Sequence, residues 1–397
     1  MKEHVTSLND GWLDLQSPSI LDIGSGEGLE KEATILASDA LKTLRRDREL
    51  TRAVLLVPFP MIYFCVYVLM LSTHIPTSDL VKQNNALYTT LASSGSTTVT
   101  ADSPMLFFNI QTPADIWKWI ELTLVPSIYA TQDYNDVDLP VTERARVATR
   151  NQVLGAVRFE ATYGAPETCD IPDFLLVNYP TCYSTSDTWT DNGLLSIIYN
   201  TSEAVEAIEE LKNMAMINAS TEEVEITVVT FNGEIGSYGV TTLKLDFQEG
   251  GFIEPTASTV GAIADPYAGS NPYFVDALLG ICFLVVLRYQ LVRLWRNRHG
   301  LMAHLSNFWH LVDYASTILI IAFYVVWGVI IHVTNASWLQ TYIAGFSATN
   351  IEWTQYDGAG DALDAMIGRL EQIGHLTVAL RLIATVTIIL LGVRILD

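Results

Sequence analysis

Charge is scarce in this sequence, and basic charge is scarcer still. Of 397 residues only 17% are Asp, Glu, Lys or Arg, and 22 basic side chains stand against 44 acidic ones. The resulting net charge of -22 argues against a nucleic-acid partner, because a phosphate polyanion is repelled unless a basic patch overrides the average. No such patch exists outside two short stretches. The seven His residues show no HExxH or other paired metal-ligand spacing, and no Ser, Cys or Thr is placed with a base. Without a catalytic constellation, the chain does not read as an enzyme. It is equally unlike a disordered chain, since 50% of its residues are hydrophobic.

The length suits two or three domains of about 150 residues, and a mean hydropathy of +0.27 indicates that one of them is dissolved in lipid. Ala53 to Thr73 holds 21 residues without a charge, enough at about 1.5 Å per residue to cross about 30 Å of hydrocarbon. Lys42, Arg45, Arg46, Arg48 and Arg52 precede it, so the positive-inside bias places that flank in the cytoplasm. The run starts too far from the N-terminus, behind an acidic and polar segment, for a cleaved signal peptide. Tyr273 to Leu287 leads into Arg288, Arg293, Arg296 and Arg298, so this second helix runs inward. Phe308 to Val333 and Leu376 to Leu396 add two spans. Four crossings put both ends of this sequence on the cytoplasmic side.

The expected segments are an acidic cytoplasmic tail over 1–40, a basic pre-helix and first span over 41–73, and an extracellular domain over 74–271. The second span follows over 272–294, a cytoplasmic linker over 295–307 and the third span over 308–333. An extracellular loop over 334–374 and the fourth span over 375–397 complete the chain. The basic residues of 41–52 read either as a helix lying on the inner headgroups of membrane lipid or as an ordinary positive flank.

Residues 74–271 are the size of a full globular domain and carry 26 acidic against 8 basic residues. Asp115 to Tyr129 and Glu203 to Met216 have apolar residues at helical spacing, whereas Val224 to Phe231 and Val240 to Phe247 alternate or run β-branched. The expectation is an α+β domain inserted between the first two helices. Cys65 and Cys282 fall in apolar spans, while Cys169 and Cys182 lie in the inserted domain. As the only two cysteines on the oxidising side they are expected to bond, closing a loop worth about 3 kcal/mol on the chain-entropy estimate. The three Asn-x-Ser/Thr sequons, at Asn200, Asn218 and Asn335, all fall on segments placed outside.

Leu21 to Gly28 (LDIGSGEG) has the glycines of a nucleotide or methyl-donor loop, but a spanning helix begins 25 residues later, where alternating strands and helices would be needed. It reads as a flexible tail. Asp133 to Asp138 (DYNDVD) lacks the Gly and Glu of an EF-hand, which leaves a solvated acidic loop or a loose calcium contact. No cofactor is otherwise implied. Charges inside the spans cost at least about 2.5–3.5 kcal/mol each at the bilayer centre, so Asp313, Arg381 and Arg394 are expected to face one another or a wet crevice. Such a bundle is voltage-sensor-like, or else holds a simple structural ion pair with a snorkelling Arg394. Arg does not recur at every third position of the fourth helix, and strong voltage sensing is not expected.

The order of these parts resembles the polycystin family of TRP-type cation channels. Phe108, Asp115-Ile116-Trp117 and Leu124 to Tyr129 resemble the start of that family's extracellular domain, and Asn151 to Arg158 (NQVLGAVR) is similar to its LG-x-x-R segment. Cys169 and Cys182 match its disulfide pair in spacing, and Val228 to Phe247 looks like two strands around its Tyr-Asn turn, here Phe231-Asn232. Phe308 to Asp313 is similar to its W-N-x-x-D signature with His310 in place of Asn, and Gly392 to Leu396 resembles the end of its fourth helix.

The resemblance implies a cation channel subunit conducting calcium or mixed cations in a ciliary, flagellar or plasma membrane. It implies assembly as a homo- or hetero-tetramer, with Asp115, Trp117, Trp119 and the disulfide loop at subunit contacts. Two departures are local: Arg288, Tyr289, Gln290 and Arg293 stand where the family often has calcium-binding acids, and Asp397 stands where it tends to have a base. The pore helices that the family places next are expected to be missing from these 397 residues. The alternative is a pore-less receptor or anchor that binds an extracellular protein, such as one of a cilium.

Overall fold

The computed structural model describes residues 42–44, 46, 58–94, 103–133, 135–195, 201–267, 271–296, 306–345 and 359–395. The acidic tail 1–40 with its Leu21 to Gly28 loop, most of the basic flank, and Asn200 lie outside the described residues.

Among the described residues, four helices are long and apolar enough to cross a membrane. The first, over Pro58–Leu91, is made of α1 (Pro58–His74), which leads through Ile75-Pro76 into α2 (Thr77–Leu91). Pro76 has no N–H to continue the first helix, and its carbonyl instead accepts from the Leu80 N–H of the new one. Helix α2 is amphipathic, and it buries Leu80, Gln83, Leu87 and Leu91 on one face.

Three short helical pieces then lie in the inserted domain: α3 (Pro113–Trp119), a π-helical turn (Ile120–Leu124) and α4 (Val125–Ile128). Asp115 closes α3 with Thr112 in a capping box, each side chain accepting from the other residue's backbone N–H. Trp119 is fully buried and Trp117 nearly so, in one cluster with Phe107, Phe159, Ile226 and Leu243. Their rings pack within the domain's own core.

The sheet follows as β1 (Arg146–Val147), β2 (Asn151–Thr168), β3 (Thr181–Leu195), β4 (Thr221–Asn232), β5 (Ser237–Phe247) and β6 (Ile253–Ile263). Helix α5 (Asp173–Leu176) lies between β2 and β3, and α6 (Thr201–Asn213) between β3 and β4. Every pairing is antiparallel, in the order β1-β2-β4-β5-β6, with β3 on the same edge of β2 as β1. Long runs of β-branched residues in β4 and β5 favour this extended backbone.

Strand β2 bulges where Val153 pairs Thr230 and Val157 pairs Val228, so three residues oppose one. Gly155 in that bulge has φ 72°, a conformation that costs other residues energy, and a Cβ there would strike Met366 and Leu363. On β5 and β6 the directly paired Gly239 and Gly261 leave a flat seat, against which Leu87, Leu80 and Asn84 of α2 lie.

The remaining helices are α7 (Asn271–Arg296), α8 (Phe308–Thr334), α9 (Ser337–Gly345) and α10 (Ala359–Ile395). Helix α8 buries Val312, Ser316, Ile320, Phe323, Trp327 and Ile330, a stripe at helical spacing. Helix α10 differs from expectation. Its 37 residues span about 55 Å, well beyond the span expected from Leu376, because residues 359–375 continue the helix over the sheet.

Candidate functional site

Three polar clusters stand out against an otherwise apolar bundle. The first joins α7, α8 and α10 at the Arg-rich end of α7. The Asp313 carboxylate accepts from Arg394 Nε at 2.8 Å and has Arg293 Nη1 at 3.7 Å. Gln290, itself buried, donates to the Asp313 backbone carbonyl at 3.0 Å, and Arg293 Nη2 lies 2.7 Å from His310 Nε2. Two guanidinium groups thus share one carboxylate. The Asp313 and Arg394 side chains are each only 16% exposed, so a partner on the adjacent helix offsets a large desolvation cost.

Arg381 does not join this pair. Thirteen residues before Arg394, it lies about 20 Å nearer the sheet and donates from Nη2 to the Gly261 carbonyl at 3.2 Å. The three charges that sequence brings together as one network therefore divide between two levels of α10, Arg381 near its middle and Arg394 at its end.

The second cluster lies at the neck where the inserted domain leaves and rejoins the helices. His74, buried at the end of α1, has Nε2 2.8 Å from Asp276 Oδ1 on α7. Tyr267 donates its hydroxyl to the other Asp276 oxygen at 2.7 Å, and Trp327 of α8 donates Nε1–H to Tyr267 at 3.3 Å. The Tyr267 and Trp327 rings flank the imidazole at 5.4 and 4.7 Å, edge to face. One carboxylate holds both connections of the domain, one through each of its oxygens.

The third cluster centres on Arg158, whose side chain is 9% exposed. Its Nη2 donates to Glu371 at 3.0 Å, to Glu225 at 3.3 Å and to Thr227 at 3.2 Å. Asp364 lies 3.6 Å from Nη1 and Glu160 3.9 Å from Nε. Burial holds the Glu160 carboxyl above the usual carboxylate range, and Glu225, Asp364 and Glu371 push the same way against the pull of Arg158.

Cys169 and Cys182 are bonded to each other, with Cα atoms 4.9 Å apart. The loop they close exposes Phe174, Val177 and Tyr179. Asn218 and Asn335 are exposed; the Asn218 Oδ1 accepts from Ser220 N and Oγ, and Asn335 ends α8. In the acidic loop, Asp133 accepts from the backbone N–H groups of Val137 and Asn135, which hold it below the usual carboxylate range. That carboxylate serves its own turn, and no group of three or more His, Cys, Asp or Glu able to hold a metal occurs among the described residues.

Sequence reasoning missed the neck and the partners of Arg158. Asp276 is an acid inside an apolar run, and that signal was available. Beyond Glu160, two residues along the same strand, the acids it pairs with, such as Glu225 and Glu371, lie 67 and 213 residues away along the chain, with no local pattern to betray them. Neither a family model nor a curated protein matches the sequence.

Proposed function

We propose that this chain forms the sensor-like bundle and extracellular assembly domain of a polycystin-like cation channel subunit. It works as a homo- or hetero-tetramer in a ciliary, flagellar or plasma membrane and passes calcium or mixed cations. The observation that carries the reading is the order of parts: a disulfide-bonded antiparallel sheet inserted between the first and second of four long apolar helices.

In this reading the Arg-rich end of α7 faces the cytoplasm, and Asp313, Arg293 and Arg394 form the inner charge network of the bundle. With Arg394 the charge that α10 contributes at that level, voltage dependence is weak. The exposed Phe174, Val177 and Tyr179 meet the adjacent subunit, and the acidic domain draws cations toward the pore mouth. Each subunit contact should bury more than about 1,000 Å².

The test is the symmetry of particles purified after expression of the complete coding sequence, followed by reconstitution into planar bilayers. A fourfold ring that passes cations is expected. A stable monomer or dimer with the sheet domain folded overturns the channel reading and favours a pore-less receptor.

A further inference from the structure

Helix α10 is one uninterrupted rod that touches the sheet along its first two thirds and Asp313 near its far end. The contacts follow one face at helical spacing. Leu363 and Met366 fill the notch at Gly155, Gly374 meets Val260 and Val240, and Arg381 reaches the Gly261 carbonyl. Asp364 and Glu371, seven residues apart, are two turns from each other and both reach Arg158 of β2.

The charge balance of this contact is unusual. Glu160 and Glu225 belong to the sheet, Asp364 and Glu371 belong to α10, and among the described residues Arg158 is the one cation in contact with all four. With Arg158 present, the guanidinium attracts both sets of carboxylates. Without it, two acids on the helix face two on the sheet at short range, in surroundings where burial weakens solvent screening. The same surface then repels.

We propose that Arg158 is a pin that sets the position of α10 against the sheet, and that α10 transmits this position to the Asp313–Arg394 contact. From Glu371 to Arg394 the rod runs 23 residues, about 35 Å. A continuous α-helix resists compression along its hydrogen-bonded axis, so a shift at the pin is carried to the far end. Anything that strains the inserted domain thereby acts on the bundle. This inference rests on the fold and stands whether or not the chain belongs to a channel.

The experiment uses the full chain in lipid nanodiscs, with Cys65 and Cys282 replaced by Ser and the disulfide retained. Hydrogen exchange reads the segment 360–375, and nitroxide labels at Leu311→Cys and Val393→Cys read the far end of α10 against α8. Arg158→Gln should speed exchange over 360–375 at least tenfold and shift or broaden the label-to-label distance. Adding Asp364→Asn and Glu371→Gln to that variant removes the repulsion and should restore both readouts most of the way, which loss of packing alone would not do.

Unchanged exchange in Arg158→Gln overturns the pin, as does a triple variant no closer to the parent than the single one. Loosening at 360–375 with an unaltered far-end distance overturns the transmission. Should Arg158→Gln fail to accumulate, Asp364→Asn with Glu371→Gln in the presence of Arg158 gives the test. It should speed exchange over 360–375 while leaving β4 and β5 protected, and no increase overturns the proposal.

Discussion

Glu160 lies beside Arg158, yet burial and three neighbouring carboxylates keep its carboxyl above the usual range. A carboxyl whose folded pKa is raised favours the folded state most when protonated. That contribution is present below the ordinary carboxylate range and is lost as pH rises through the raised value. Glu160→Gln is therefore expected to raise the thermal midpoint at pH 7.5 by a few degrees and to flatten its change between pH 7.5 and pH 5. Differential scanning fluorimetry of both proteins across that range decides, and a lowered midpoint at pH 7.5 would show that the charge is needed. Arg158 itself stands three residues after Gly155, which marks a bulge. What one sequence could not reveal is which four acids among 44 converge on that arginine, because the choice is made by sheet register and helix placement.

At the scale of elements, the spans were legible because twenty apolar residues in a row have few other uses. The reach of α10 was hidden by its own surface. Asp361, Asp364, Arg369 and Glu371 break the hydropathy over its first turns, while Leu363, Met366, Ile367, Leu370 and Ile373 keep a buried stripe beneath them. The charge expected in the third span did find a partner in the fourth. Its value to packing can be measured by a charge cycle on Asp313 and Arg394. Asp313→Asn alone leaves two guanidinium groups without their carboxylate and should destabilise the bundle by about 3–5 kcal/mol. Asp313→Arg with Arg394→Asp should recover a substantial part of it. Thermal unfolding in detergent with the parent and the two variants in parallel checks this, and equal losses in the single and exchanged variants would mean that the pair is incidental.

For the whole molecule, sidedness ties the pieces together. Asn218 is exposed on the inserted domain and Asn335 follows the end of α8, so if all four apolar helices cross a membrane, both lie on the same side of it as the disulfide. Protein made in a eukaryotic secretory pathway is expected to gain mobility after peptide-N-glycosidase treatment, with one step of that shift lost in Asn218→Gln. Protection of an epitope tag inserted at the Asp133 loop from external protease in intact cells would reverse the assignment. The sequence foretold the inserted α+β domain, but its firm attachment to two helix extensions became visible only in the fold.

The neck also bears on how such a molecule could have arisen. The inserted domain begins just after His74 and ends just before Asp276, and these two side chains are 2.8 Å apart. A domain whose entry and exit meet at one hydrogen bond can be gained or lost without redirecting its host. A short hairpin between α1 and α7 would close the same gap. Such a change would leave α2 and the first half of α10 without the sheet they lie against, so the exchangeable unit is the domain together with these two extensions.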